Sequence, residues 1–136
     1  MNQRLLSLLF LSLSLVFTQS LVAQQQETNM DEKPVVLFVE FEFDASNMDS
    51  ALDLLTEMQN QALENEEGCI AYDILLNKEK PNTVFLYECY ENERALKAHN
   101  NASYYKDIVD KRLKPLIKAQ NILTLHPLND MGFIVE

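Results

Sequence analysis

The stretch from Glu66 to His99, EEGCIAYDILLNKEKPNTVFLYECYENERALKAH, admits few folds. It reads as the end of one helix, two apolar strands joined by a charged turn, and the opening of a second helix. The first run, Gly68 to Asn77, is rich in β-formers, and the second, Thr83 to Tyr90, carries six apolar residues in eight. Between them Lys78-Glu79-Lys80-Pro81-Asn82 is a charged turn punctuated by Pro81, which makes the two strands antiparallel neighbours. Alternation places Ile70, Tyr72, Ile74 and Leu76 on one face and Cys69, Ala71 and Leu75 on the other. With apolar side chains on both sides, one face calls for helices and the other for a partner.

The flanking chain supplies the rest of a sheet and its cover. Val35 to Phe43 begins as a continuous apolar strand and ends in strict alternation. Asp44 to Asn47 offers turn and N-cap chemistry. Met48, Leu52, Leu55, Met58 and Ala62 then recur at helical spacing as far as about Glu66, where Gly68 stops the helix. After the hairpin, Asn92 can cap a helix through His99, and Asn100 to Ser103 interrupts it. A second helical segment carries Tyr105, Ile108, Val109, Leu113, Leu116 and Ile117, with Pro115 kinking it near its end. Asn121 to His126 alternates as a final strand closed by Pro127. The order β-α-β-β-α-β is that of a ferredoxin-like α+β fold, an antiparallel sheet with helices on one face. Its uncovered face, carrying Phe, Tyr and Leu side chains, predicts a two-fold homodimer.

The 136 residues suffice for one domain. A formal charge of −10 argues against nucleic acid and anionic membrane surfaces as partners, since both would repel an acidic surface. Leu5 to Val22 carries no charge, follows Arg4 and leaves through a small Ala23, the pattern of a secretory signal over residues 1–23. An uncleaved anchor is the alternative, because the run approaches the length of a bilayer span, although Ser7, Ser12, Ser14, Thr18, Gln19 and Ser20 dilute its hydrophobicity. Cleavage would leave a periplasmic or secreted protein with no stable membrane association. Residues 24–33 form a polar tether, 34–127 the domain, and 128–136 a partly apolar tail.

A hairpin centred near Lys80 sets Tyr72 opposite or diagonal to Glu88, with Tyr90 two positions along the same face. If that face lies under the helices, His99 completes a pocket of base, proton relay and phenol donors, with Tyr90, Leu86 and Ile74 against the substrate. Each residue also has a structural reading: His99 as a helix-end residue, Tyr72 as a packed aromatic with a satisfied hydroxyl, and Glu88 as a solvated strand residue or an ion-pair partner across a dimer. Cys69 and Cys89 fall close together on one face of the hairpin, so they are either a cross-strand disulfide in an oxidising compartment or two small buried hydrophobes, the latter favoured because adjacent-strand disulfides are strained. No Ser-His-Asp set, P-loop or His/Cys cluster supports a hydrolase, an NTPase or a metalloenzyme.

Glu67-Gly68-Cys69-Ile70-Ala71-Tyr72-Asp73-Ile74-Leu75, then Pro81-Asn82, Leu86-Tyr87-Glu88 and Ala95-Leu96-Lys97-Ala98-His99, resemble the E-G-C-x-x-Y-D-x-L, P-N, L-Y-E and A-L-x-x-H series of the antibiotic biosynthesis monooxygenase family, in particular its quinol monooxygenase branch. The resemblance spans Val35 to Leu125. It implies a dimeric α+β barrel, a pocket between each sheet and its helices, and oxygenation of a small quinol or phenolic aromatic by dioxygen with no metal or flavin cofactor. Non-catalytic ligand binding and isomerisation on the same fold are the alternatives it leaves open. The chain departs from the family pattern at Tyr90, where a Trp is frequent, and at Tyr104-Tyr105, which replaces a second His. Phe41 stands where haem-degrading relatives carry Asn, which speaks against haem degradation.

Overall fold

The computed structural model describes residues 33–128. The expected signal segment, all but the last residue of the tether, and the tail beyond Leu128 lie outside the described residues. Four strands, β1 (Val35–Phe43), β2 (Cys69–Asn77), β3 (Lys80–Tyr90) and β4 (Ile117–Leu125), form one antiparallel sheet in the order β2-β3-β1-β4, with the helices packed on one face, the ferredoxin-like arrangement. Among the described residues no helix is long and apolar enough to cross a membrane.

Strand β1, Val35–Phe43, is central and pairs with both neighbours; its alternation turns Val35, Val39, Phe41 and Phe43 into the core. A 3₁₀ turn, Ala45–Asn47, leads into α1, Met48–Asn65, whose buried stripe of Ala51, Leu54, Leu55, Met58 and Ala62 has helical spacing. The helix ends as expected but by a different device. Glu66 is the C-cap, in extended conformation, and Gly68 is needed for space: a Cβ there would meet Ala95 Cβ at 2.5 Å.

The hairpin is β2, Cys69–Asn77, and β3, Lys80–Tyr90. Its turn is shorter than the five residues expected. Asn77 pairs with Lys80, and the Asn77 side-chain oxygen accepts from the Glu79 N–H at 2.9 Å. Pro81 and Asn82 fall inside the span of β3, at an irregularity between Leu76 and Asn77 that relieves proline of a ladder bond. A second bulge at Ile70 reverses the facing of the strand before it. Cys69 pairs with Tyr90 and packs against the core, whereas Cys89 pairs with Ala71 on the opposite face. The two thiols therefore do not share a face, and both are free.

Helix α2, Glu93–Asn101, is capped by Asn92, whose side-chain oxygen accepts from the Ala95 N–H at 2.9 Å. Ala102 alone breaks the chain direction, and α3 follows as an α-helical turn, Ser103–Tyr105, running on into the π-helix Lys106–Leu113. Pro115 lies in a 3₁₀ turn, Lys114–Leu116, after which β4, Ile117–Leu125, begins four residues earlier than expected. Ile117 is thus a strand residue opposite Phe43 and not part of the helix, and His126 lies beyond the strand. The weak alternation of Lys118 to Gln120 conceals this start, which pairing with β1 dictates. On the uncovered face Phe38 stacks on Phe85 at 5.8 Å, with Leu75, Tyr87, Leu123 and Leu125 exposed around them.

Candidate active site

The period of β3 turns Val84, Leu86, Glu88 and Tyr90 toward the helices. Glu88 is thereby carried into the apolar interior, 5 % exposed, directly across the ladder from Tyr72. Burial, reinforced by the charge of Glu66, raises its carboxyl to about 7 against the opposing hydrogen bond from the Tyr90 hydroxyl, which donates to Oε2 at 2.8 Å. The same burial lifts the phenols of Tyr72 and Tyr90 far above their ordinary value, so both stay protonated.

His99 lies in the last turns of α2 and is 2 % exposed. The close approach of α2 at Gly68 and Ala95 sets its depth. Nδ1 is 2.9 and 3.0 Å from the two carboxylate oxygens of Glu66, and Nε2 is 4.0 Å from Glu88 Oε2. Burial lowers the imidazole from its ordinary value, with the charge and hydrogen bond of Glu66 partly offsetting it. A neutral ring held against a carboxylate carries its proton on Nδ1, which leaves the Nε2 lone pair directed away from Glu66. The rings of Tyr72, Tyr90 and Tyr105 surround the imidazole, with centroids at 6.1, 5.1 and 5.0 Å.

Nε2 faces a cavity of about 270 Å³ between the β1–β4 half of the sheet and the helices. Leu37, Val39 and Phe41 of β1, Ile122 and Thr124 of β4, Leu96 and Asn100 of α2, and Tyr105, Val109 and Leu113 of α3 line it, with His99 and Glu88 at its polar end. No Lys or Arg is among these lining residues. An apolar chamber with one base and one carboxyl suits a neutral ligand with an ionisable hydroxyl. Among the described residues no group of His, Cys, Asp and Glu has the makings of a metal site.

Of the residues singled out from sequence, His99 and Glu88 meet at the cavity, and Tyr90 stands behind them, bonded to Glu88. Tyr72 packs against His99 without lining the cavity. Leu86 is buried in the core and Ile74 packs against it, both outside the cavity lining, because the chamber lies over β1 and β4 and meets the hairpin at Glu88. Sequence reasoning passed over Glu66, Tyr104 and Tyr105. Glu66 did leave a signal: it is a carboxylate at a helix C-terminus, opposed to the dipole, with no basic residue in the last turn.

The sequence model of the antibiotic biosynthesis monooxygenase family matches residues 34–111. No curated protein matches the chain significantly. Among solved structures, a Bacteroides thetaiotaomicron protein of unknown function, described as a possible oxidoreductase, is 22 % identical with a TM-score of 0.66, covering 71 % of this chain and 99 % of its own. A candidate antibiotic biosynthesis monooxygenase from the same organism is 22 % identical at a TM-score of 0.66, over 72 % of this chain and 92 % of its own. One so described from Caulobacter crescentus is 18 % identical at 0.68, over 76 % and 98 %. At these identities the structural likeness shows the fold.

Proposed function

The chain belongs to the antibiotic biosynthesis monooxygenase family, and from that premise we propose that it is an exported, cofactor-independent monooxygenase that oxidises a small quinol or phenolic aromatic with dioxygen. The observation that carries this reading is a buried His99 at the polar end of an apolar cavity, its Nδ1 held by the Glu66 carboxylate at 2.9 Å. At roughly 30 Å³ per water, 270 Å³ holds about nine waters, room for one or two fused rings.

With a quinol hydroxyl at that end, Nε2 takes its proton, and Glu88, largely neutral below about pH 7, donates to the resulting oxyanion. The electron-rich anion passes one electron to dioxygen, and the superoxide and ring radical combine into a peroxide at a ring carbon. Protonated His99 returns its proton to the distal oxygen as the O–O bond breaks, while the ring carbon loses its hydrogen. One oxygen atom is then in the hydroxyquinone, and the other has left as water with two of the quinol's hydrogens. The apolar walls keep bulk water from the radical pair.

The reading includes a homodimer through the uncovered sheet face, supported by its exposed Leu75, Tyr87, Leu123 and Leu125. Export is supported by the pattern of residues 1–23. Oxygen uptake with a small naphthoquinol tests the activity. Wild type consumes oxygen above the autoxidation rate, and His99→Ala, folded by circular dichroism, loses about tenfold to a thousandfold of that rate. Product formed without oxygen uptake would indicate an isomerase, and tight binding without turnover a ligand-binding module.

A further inference from the structure

Glu66 stands between the cavity and a second, outward recess. That recess, of about 410 Å³, is bounded by Glu66 and Tyr104 and by the small residues Gly68, Ala95 and Ala98. Both carboxylate oxygens of Glu66 contact His99 Nδ1, and the Tyr104 hydroxyl donates to Oε1 at 2.6 Å. Glu88 does not compete for the imidazole: at 4.0 Å its oxygen is beyond hydrogen-bond reach of Nε2, and it already accepts from Tyr90. The C-terminal position of Glu66 on α1 costs stability against the helix dipole, an expense that helix formation alone does not explain.

We propose that Glu66 is the positioning residue of this site: it accepts the Nδ1–H of His99, so that the Nε2 lone pair faces the cavity, and it stabilises the imidazolium formed when Nε2 takes a substrate proton. Tyr104 holds Glu66 in that pose. The substrate proton resides on Nε2 until it is returned to the distal oxygen, the Nδ1 proton stays on the ring, and no net proton passes to Glu66. The proton-transfer half of this inference rests on the monooxygenase reading, whereas the tautomer and the charge balance do not. The other titratable groups facing the imidazole are Glu88 and Tyr90 from β3, Tyr72 from β2 and Tyr105 from α3, with Cys69 beside Glu66.

The test is the imidazole ¹⁵N spectrum of the full chain across pH, without substrate. Two histidines are present, and the signals lost in His99→Ala assign the site. Neutral His99 is expected to carry its proton on Nδ1, and Glu66→Gln is expected to lower the His99 pKa by about one pH unit or more, because a favourable charge is removed. Tyr104→Phe should move it less, in the same direction. In turnover, Glu66→Gln should lower kcat by about tenfold to a hundredfold at nearly constant KM and carry the His99 limb of the pH profile downward, with Glu66→Asp recovering part of the loss. A proton on Nε2 in the wild type, or an unmoved His99 pKa in folded Glu66→Gln, overturns the proposal; should Glu66→Gln fail to fold, the wild-type tautomer alone decides. The predicted spectra from a protein that oxidises no quinol would keep the positioning role and discard the substrate reading.

Discussion

Glu88 makes the interior of this protein sensitive to pH. Its carboxyl, raised from 4.5 to about 7 by burial, holds its proton more tightly in the folded than in the unfolded state. The stability it permits is therefore complete below about pH 4.5 and is lost as pH rises through 7, by on the order of 3 kcal/mol in all. Glu88→Gln stays neutral and should flatten that decline, leaving the variant more stable than wild type at pH 8 in urea denaturation. Parallel stability curves for the two proteins between pH 5 and 8 would contradict this. Glu88 was legible in the sequence because strand period and hairpin pairing place it, and His99 because it lies near the end of the helix that Asn92 caps. Glu66 was not, because its partner His99 lies 33 residues away and only packing of α2 on Gly68 joins the two.

At the scale of elements, local signals carried β1, α1 and α2, each marked by an unbroken period or by a cap such as Asn92. What escaped were features decided by a neighbour. The bulges at Ile70 and near Pro81 arise in the pairing of β2 with β3, and the one at Ile70 separates two cysteines that strict alternation would keep on one face. The π-helix that presents Val109 and Leu113 to the cavity has no sequence mark distinguishing it from an ordinary helix. Gly68 is the contact on which the site's depth depends. Gly68→Ala would drive a methyl into Ala95 and should cost about 1–3 kcal/mol while shifting α2, and with it His99. Adding Ala95→Gly removes the clashing methyl and should restore part of the loss, read as Tm and as activity. A neutral Gly68→Ala would mean that α2 is free to move and does not fix His99.

For the molecule as a whole, the uncovered sheet face and the cavity open two different dependencies. The stacked Phe38 and Phe85 lie among exposed Leu75, Tyr87, Leu123 and Leu125, framed by the ion pairs Lys80–Glu40 and Lys118–Glu42 at 3.2 and 2.8 Å. Light scattering at micromolar concentration should give twice the chain mass, and Phe85→Asp, which buries a charge in that face, should give monomers. A monomeric wild type would show that something else covers the face.

The central claim is that His99, acting as base at the polar end of an apolar cavity, enables an oxygen atom from dioxygen to enter a small quinol. Turnover under ¹⁸O₂ with mass spectrometry of the product tests it directly. The account predicts one ¹⁸O atom per hydroxyquinone, the second in water, with neither formed above background by His99→Ala. A product free of ¹⁸O, or one labelled equally by the His99→Ala protein, would contradict it.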